Sequence, residues 1–182
     1  MPPRYVKTIR DEINYEYAKL ISRSAFGSEI NYRFVTDRYK ALHSGEISMS
    51  NTMREWEREQ ELPRECVFCG KTEDLTTDHL IPKSRGGSDD PCNLVLSCAF
   101  CNASRKDKGV FEWLGLKKKD SLHRLVAGKY LKELLRLHEA RGTLDVSILE
   151  LETLCKACRN PATCNLWGKT ESLTCFCLES VF

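Results

Sequence analysis

Two cysteine pairs, Cys66-x-x-Cys69 and Cys98-x-x-Cys101, enclose an Asp78-His79 dipeptide and Asn93, and Asn102 follows the last cysteine directly. Four thiolates in two knuckles suit a tetrahedral zinc ion with no open coordination position, so the ion is expected to be structural. Its binding free energy would hold together a module whose apolar core is too small to do so alone. The residues between the knuckles suit the hydrolysis of a phosphodiester. A neutral imidazole, ordinarily with a pKa near about 6.5, can take a proton from water at physiological pH. His79 is therefore the expected general base. A hard divalent ion such as Mg²⁺ or Mn²⁺ prefers oxygen donors, which the carboxylate of Asp78 and the amide oxygen of Asn102 could supply. Such an ion would stabilise the charge that develops on phosphate and leaving oxygen. Asn93 is expected to brace the His79 loop and to fix the imidazole by a hydrogen bond.

The stretches CVFCG, DHLIPKSRGG, NLVLSCAFCN and RKDKG together resemble the HNH nucleases of the ββα-metal, or His-Me finger, superfamily, in the branch that carries a zinc knuckle. The resemblance covers residues 64 to 110. It implies an α+β fold with a ββα-metal core, a base at His79, a metal-binding acid at Asp78, a loop-supporting asparagine at Asn93 and a metal ligand at Asn102. Many members have histidine at that last position, so asparagine bears on the metal preference. The resemblance further implies products with 5′-phosphate and 3′-hydroxyl ends.

A second cluster, Cys155, Cys158, Cys164, Cys175 and Cys177, offers five thiols near the C-terminus, of which four make a tetrahedral site. A second structural zinc is the expected occupant, and an iron–sulfur cluster is the alternative. Trp167 is expected to pack over it. Cys92 stands apart as a buried or partly buried thiol.

The net charge of +2 conceals a basic block: residues 103–142 hold 11 Lys and Arg against 5 Asp and Glu. Basic residues beside a metal-ligand cluster suit a phosphate backbone. Arg85, Arg105, Lys106 and Lys108 are the candidates at the scissile phosphate. Lys117, Lys118 and Lys119, with Arg124, Lys129, Lys132 and Arg136, extend the track.

These residues need elements to hold them. LTTDHLI and NLVL read as short strands on either side of a turn-rich segment, and Asn102 to Lys108 reads as the start of a helix. Upstream, apolar residues at three-to-four spacing predict helices over about 5–26 and 31–43, with Gly27 as a stop, and a third helix from Ser50 or Asn51 to Glu61. Downstream, a helix is expected from about Ser121, capped by that residue or Asp120, to Arg141, with Gly142 ending it. Four segments result: a helical region at 1–63, the nuclease core at 64–110, a basic helical region at 111–142 and a cysteine-rich metal-binding module at 143–182.

Hydrophobic residues at 41% and charged residues at 30% are ordinary for a soluble globular protein. No apolar run is long enough to span a bilayer, and the first residues lack the apolar core of a secretory signal, so no membrane partner and a cytoplasmic location are expected. The expected activity is hydrolysis of DNA by a restriction, defence or mobile-element nuclease, with a homodimer as a means of reaching both strands. The alternative is a zinc-dependent nucleic-acid-binding module without catalysis. RNA is a third substrate to test, with no dedicated RNA-binding signature in the chain.

Overall fold

The computed structural model describes residues 3–27, 29–49, 57, 61–114, 122–158 and 178. Lys117, Lys118, Lys119, Cys164, Trp167, Cys175 and Cys177 lie outside these residues, as do Asp120, Ser121 and almost all of the expected helix over 50–61. The chain folds as two compact units, one formed by residues 1–49 with 134–182 and the other by residues 50–133. Residues 1–49 of the first segment read from the sequence therefore share a unit with the last, and residues 50–63 fall in the other.

In that unit α1 (Ile9–Phe26) and α2 (Tyr32–His43) pack together. Thr8 opens α1 in a capping box with Asp11, and Gly27 ends it at φ 79, a conformation that costs glycine little. Asn31 caps α2 through the Phe34 amide. The join to the C-terminal segment is backbone pairing: Ile9 and Arg10 donate to the carbonyls of Val146 and Leu144, and Ile148 donates to Lys7. Such long-range pairing leaves no periodic mark in a sequence.

The second unit is an antiparallel hairpin followed by a helix. Strand β1 (Leu75–His79) pairs with β2 (Leu94–Cys98) in a register that sets Thr76 opposite Ser97, Asp78 opposite Val95 and His79 opposite Leu94. Helix α3 (Ala99–Arg105) begins without a linker, because Cys98 ends the strand and also caps the helix. It starts three residues earlier than the sequence suggested. A short α4 (Val110–Leu114) follows, and α5 (Arg124–Ala140) runs across the boundary between units. Leu80, Ile81, Val95, Val110, Phe111, Val126 and Tyr130 are buried in this unit, with Phe111 and Tyr130 edge to face at 5.3 Å. Each such side chain contributes about 1.5–3 kcal/mol. A final short helix, α6 (Leu151–Lys156), belongs to the first unit and carries Cys155, which is buried.

The fold is thus α+β, and the hairpin with its following helix has the layout of a ββα-metal core. Among the described residues, no helix is long and apolar enough to cross a membrane.

Candidate functional site

Four sulfurs come together first. The Sγ atoms of Cys66, Cys69, Cys98 and Cys101 lie within 4.8 Å of one another. The first knuckle is a tight turn in which the Gly70 amide returns to the Cys66 carbonyl at 2.8 Å. The second uses the start of α3, where the Cys101 amide points at the Cys98 sulfur at 3.5 Å. That amide is the main reason the Cys98 thiol falls to about 7, since an N–H at a helix start favours a thiolate. Burial instead pushes the Cys101 thiol upward, and a bound cation would offset that cost. Phe68, Leu75 and Trp113 cover the cluster, with Phe68 and Trp113 edge to face at 5.2 Å. The four-thiol donor set, with Cys66, Cys98 and Cys101 buried and Cys69 exposed, fits a structural zinc.

Beside it, the hairpin and α3 meet through side chains of both elements. Thr76 and Asp78, two residues apart, lie on one face of β1, as strand alternation requires. They meet Asn102 and Arg105, three apart on α3: the Asn102 amide nitrogen reaches Thr76 Oγ1 at 3.5 Å, and Arg105 grips Asp78. All four lone-pair sites of the Asp78 carboxylate are in use. Oδ1 accepts from Arg105 Nη2 at 2.5 Å and the His79 amide at 2.8 Å, while Oδ2 accepts from Arg105 Nε at 3.3 Å and Ser97 Oγ at 3.4 Å.

This corrects the expectation that Arg105 contacts a phosphate. Its side chain is only 1% exposed, and beyond Asp78 it binds the carbonyls of His79, Leu80 and Lys108. Two further cations of the expected track are likewise occupied. Arg85 pairs with Glu112 at 2.6 Å, and the buried Lys129 donates to the Leu94 carbonyl at 2.8 Å. Lys132 is buried too, whereas Lys106 and Arg124 are exposed and Lys108 is half-buried.

His79 sits at the end of β1, where its ring is partly open to solvent. Nε2 lies 2.8 Å from Oδ1 of Asp89, whose Oδ2 binds Lys83 Nζ at 2.7 Å. Lys83 first, and His79 second, hold the Asp89 carboxyl below the usual carboxylate range. Asn93 does not touch the imidazole, which corrects that part of the expectation. It is completely buried and braces the loop instead: its amide nitrogen donates to the carbonyls of Ile81 and Ser88, and its oxygen accepts from the Ile81 amide. A second buried group, Glu133, accepts from the Ser88 amide at 2.7 Å. Within this loop a Cβ on Gly87 would come within 1.8 Å of the Ile81 carbonyl oxygen, so the position admits no side chain.

The cysteine cluster, hairpin and helix fall in one continuous stretch. Residues 66–108 match the HNH endonuclease family. The four cysteines fit the zinc-knuckle branch of that family. The match to the HNH model covers about a quarter of the chain and speaks for nuclease activity in general. No curated protein and no solved structure matches the chain. Sequence reasoning did not single out Asp89, Ser97, Glu133 or Trp113. The sequence signal for Asp89 was its place in the turn-rich segment between the two strands, but two adjacent acids in a loop read as solvated charge.

Proposed function

We propose that this protein is an endonuclease that hydrolyses phosphodiester bonds of DNA, with His79 as the general base. The observation that carries this reading is the position of the imidazole: it ends a strand inside the stretch that matches HNH endonucleases, is partly exposed, and among the described residues is anchored through one nitrogen only. The other nitrogen is then available to water. In the step proposed, a water molecule gives a proton to the ring as its oxygen bonds to phosphorus. The bond from phosphorus to the 3′ oxygen breaks, and that oxygen leaves with the electron pair and takes a proton from solvent. The products carry 5′-phosphate and 3′-hydroxyl ends.

A divalent cation, Mg²⁺ or Mn²⁺, would supply charge stabilisation to the departing oxygen when bound. The fit of the proposed donors to it is partial. The Asn102 amide oxygen is of the right class and makes no hydrogen bond among the described residues. Asp78 has the right chemistry, but Arg105 already neutralises it, so Asp78 can serve as a ligand only after that guanidinium shifts. Exposed Lys106 and half-buried Lys108 lie just after α3 and are proposed to contact the backbone phosphates, together with Lys117, Lys118 and Lys119. Cys155 and Cys158 are proposed to hold a second zinc with two of Cys164, Cys175 and Cys177, and an iron–sulfur cluster is the alternative.

The test is to offer labelled duplex DNA, single-stranded DNA and RNA at one ionic strength with Mg²⁺ or Mn²⁺. Cleavage of the duplex supports the proposal. Preferential cleavage of RNA reassigns the substrate, and a retained gel shift without any cutting identifies a binding module.

A further inference from the structure

We propose that Asp89 is a positioning residue for His79, fixing its tautomer so that Nδ1 is the atom that receives the proton. This rests on His79 being the base.

The chemistry follows from the partners of one carboxylate. Lys83 Nζ donates to Oδ2 of Asp89 at 2.7 Å, which favours the ionised form of Asp89. An ionised carboxylate can only accept hydrogen bonds. Nε2 of His79, 2.8 Å from Oδ1, must therefore be the nitrogen that bears hydrogen. In a neutral ring that leaves Nδ1 with the free lone pair. A base with its proton on the wrong nitrogen has no lone pair to offer, so holding one tautomer is a catalytic requirement.

Asp89 is 67% exposed on its side chain, and an exposed ion pair alone carries little weight. What distinguishes this one is the backbone beneath it. Ser88, the preceding residue, is pinned at both polar atoms by buried groups: its carbonyl accepts from Asn93 and its amide donates to Glu133. Asn93 also holds Ile81, two residues beyond His79, by both backbone atoms. One buried side chain thus ties together the chain just after the imidazole and the chain just before the carboxylate. The close approach at Gly87 belongs to the same construction. Asp89 therefore follows a backbone held by two buried side chains, although solvent reaches its carboxylate.

The test combines NMR with kinetics. Because Asp89 is exposed, its substitution should change stability by no more than about 0.5 kcal/mol. In ¹⁵N-labelled protein with the ring neutral, the His79 signals should show hydrogen on Nε2 in the wild type and a mixture of tautomers in Asp89→Ala. Assignment uses His79→Gln. For duplex cleavage, Asp89→Ala should lower kcat about ten- to a hundredfold with KM little changed, and Asp89→Glu should recover part of the loss. Hydrogen on Nδ1 in the wild type, or a tautomer and kcat unaffected by Asp89→Ala, overturns the proposal. If the wild type cuts no nucleic acid, the nuclease reading fails, while the NMR result still decides the role of Asp89.

Discussion

Arg105 binds Asp78 at two points, Nη2 to Oδ1 at 2.5 Å and Nε to Oδ2 at 3.3 Å, where both side chains are almost wholly shielded from water. The pair joins helix α3 to strand β1 and ties the zinc-knuckle end of the hairpin to the chain that carries His79. Removing one partner leaves the other charge buried and alone. Arg105→Ala should therefore destabilise the protein by about 3–5 kcal/mol, read from the midpoint of urea unfolding. A loss below about 1 kcal/mol would show that the pair is solvated in solution. Because Arg105 saturates Asp78, Mn²⁺ titrated by calorimetry should bind more weakly than to an open carboxylate site, and Asp78→Asn should weaken it further.

The four-cysteine cluster predicts one equivalent of zinc per chain that is lost on Cys98→Ser. Removing it with a chelator should abolish cooperative unfolding of residues 50–133, since the metal's binding energy is folding energy there. Elemental analysis with circular dichroism measures both. A second equivalent of zinc retained in Cys98→Ser would place it at the C-terminal cysteines, whereas iron with sulfide would replace that zinc assignment.

Asn93 makes three hydrogen bonds at the base of the loop, two of them buried. Asn93→Ala strands their partners, so a loss of about 3 kcal/mol or more is expected. The Ile81 amide should lose its protection against hydrogen exchange. Gly87→Ala should release the same amide because of the contact with the Ile81 carbonyl. Protection unchanged in both variants would mean that the loop is held by something else.

His138 supplies a pH dependence in the unit formed by residues 1–49 and 134–182. Burial holds its imidazole down at about 4, with Nδ1 against Thr143 Oγ1 at 2.8 Å and Nε2 against the Leu178 carbonyl at 3.1 Å. The unfolded chain takes up that proton near about 6.5 and the folded chain only near 4. Between those values the unfolded state binds more protons, so stability falls as the pH falls. Full stability is present above about 6.5, and about 3 kcal/mol is lost by pH 4. Urea unfolding across this range should show the slope in the wild type and a flatter line in His138→Gln.

Much of the site was legible in the sequence because its spacing encodes geometry. Knuckle cysteines at three-residue spacing and the alternating strand around Asp78 dictated where the sulfurs and the Asp-His dipeptide would lie. The extent of α2 and the end of α1 at Gly27 followed from periodicity and a glycine stop, whereas α1 starts at Ile9 rather than near Tyr5 because Thr8 caps it there. The partner of each charge was not legible. Arg105, Arg85 and Lys129 read as phosphate contacts because a basic residue in sequence looks the same whether it faces solvent or a buried acceptor. Asp89 was missed for the converse reason, since its function depends on a loop closed by Asn93 and Glu133, residues 4 and 44 positions away. The pairing of Lys7, Ile9 and Arg10 with residues 144–148 likewise involves backbone atoms, on which side-chain patterns are silent.

In the proposed function, the imidazole of His79 activates water against a phosphodiester. Supercoiled plasmid incubated with Mg²⁺ or Mn²⁺ and either wild-type protein or His79→Ala tests it most directly. Nicked or linear product from the wild type, with a rate at least about a hundredfold lower in the variant, is the predicted result. Equal cleavage by both proteins, each shown to be folded and loaded with zinc, would contradict it.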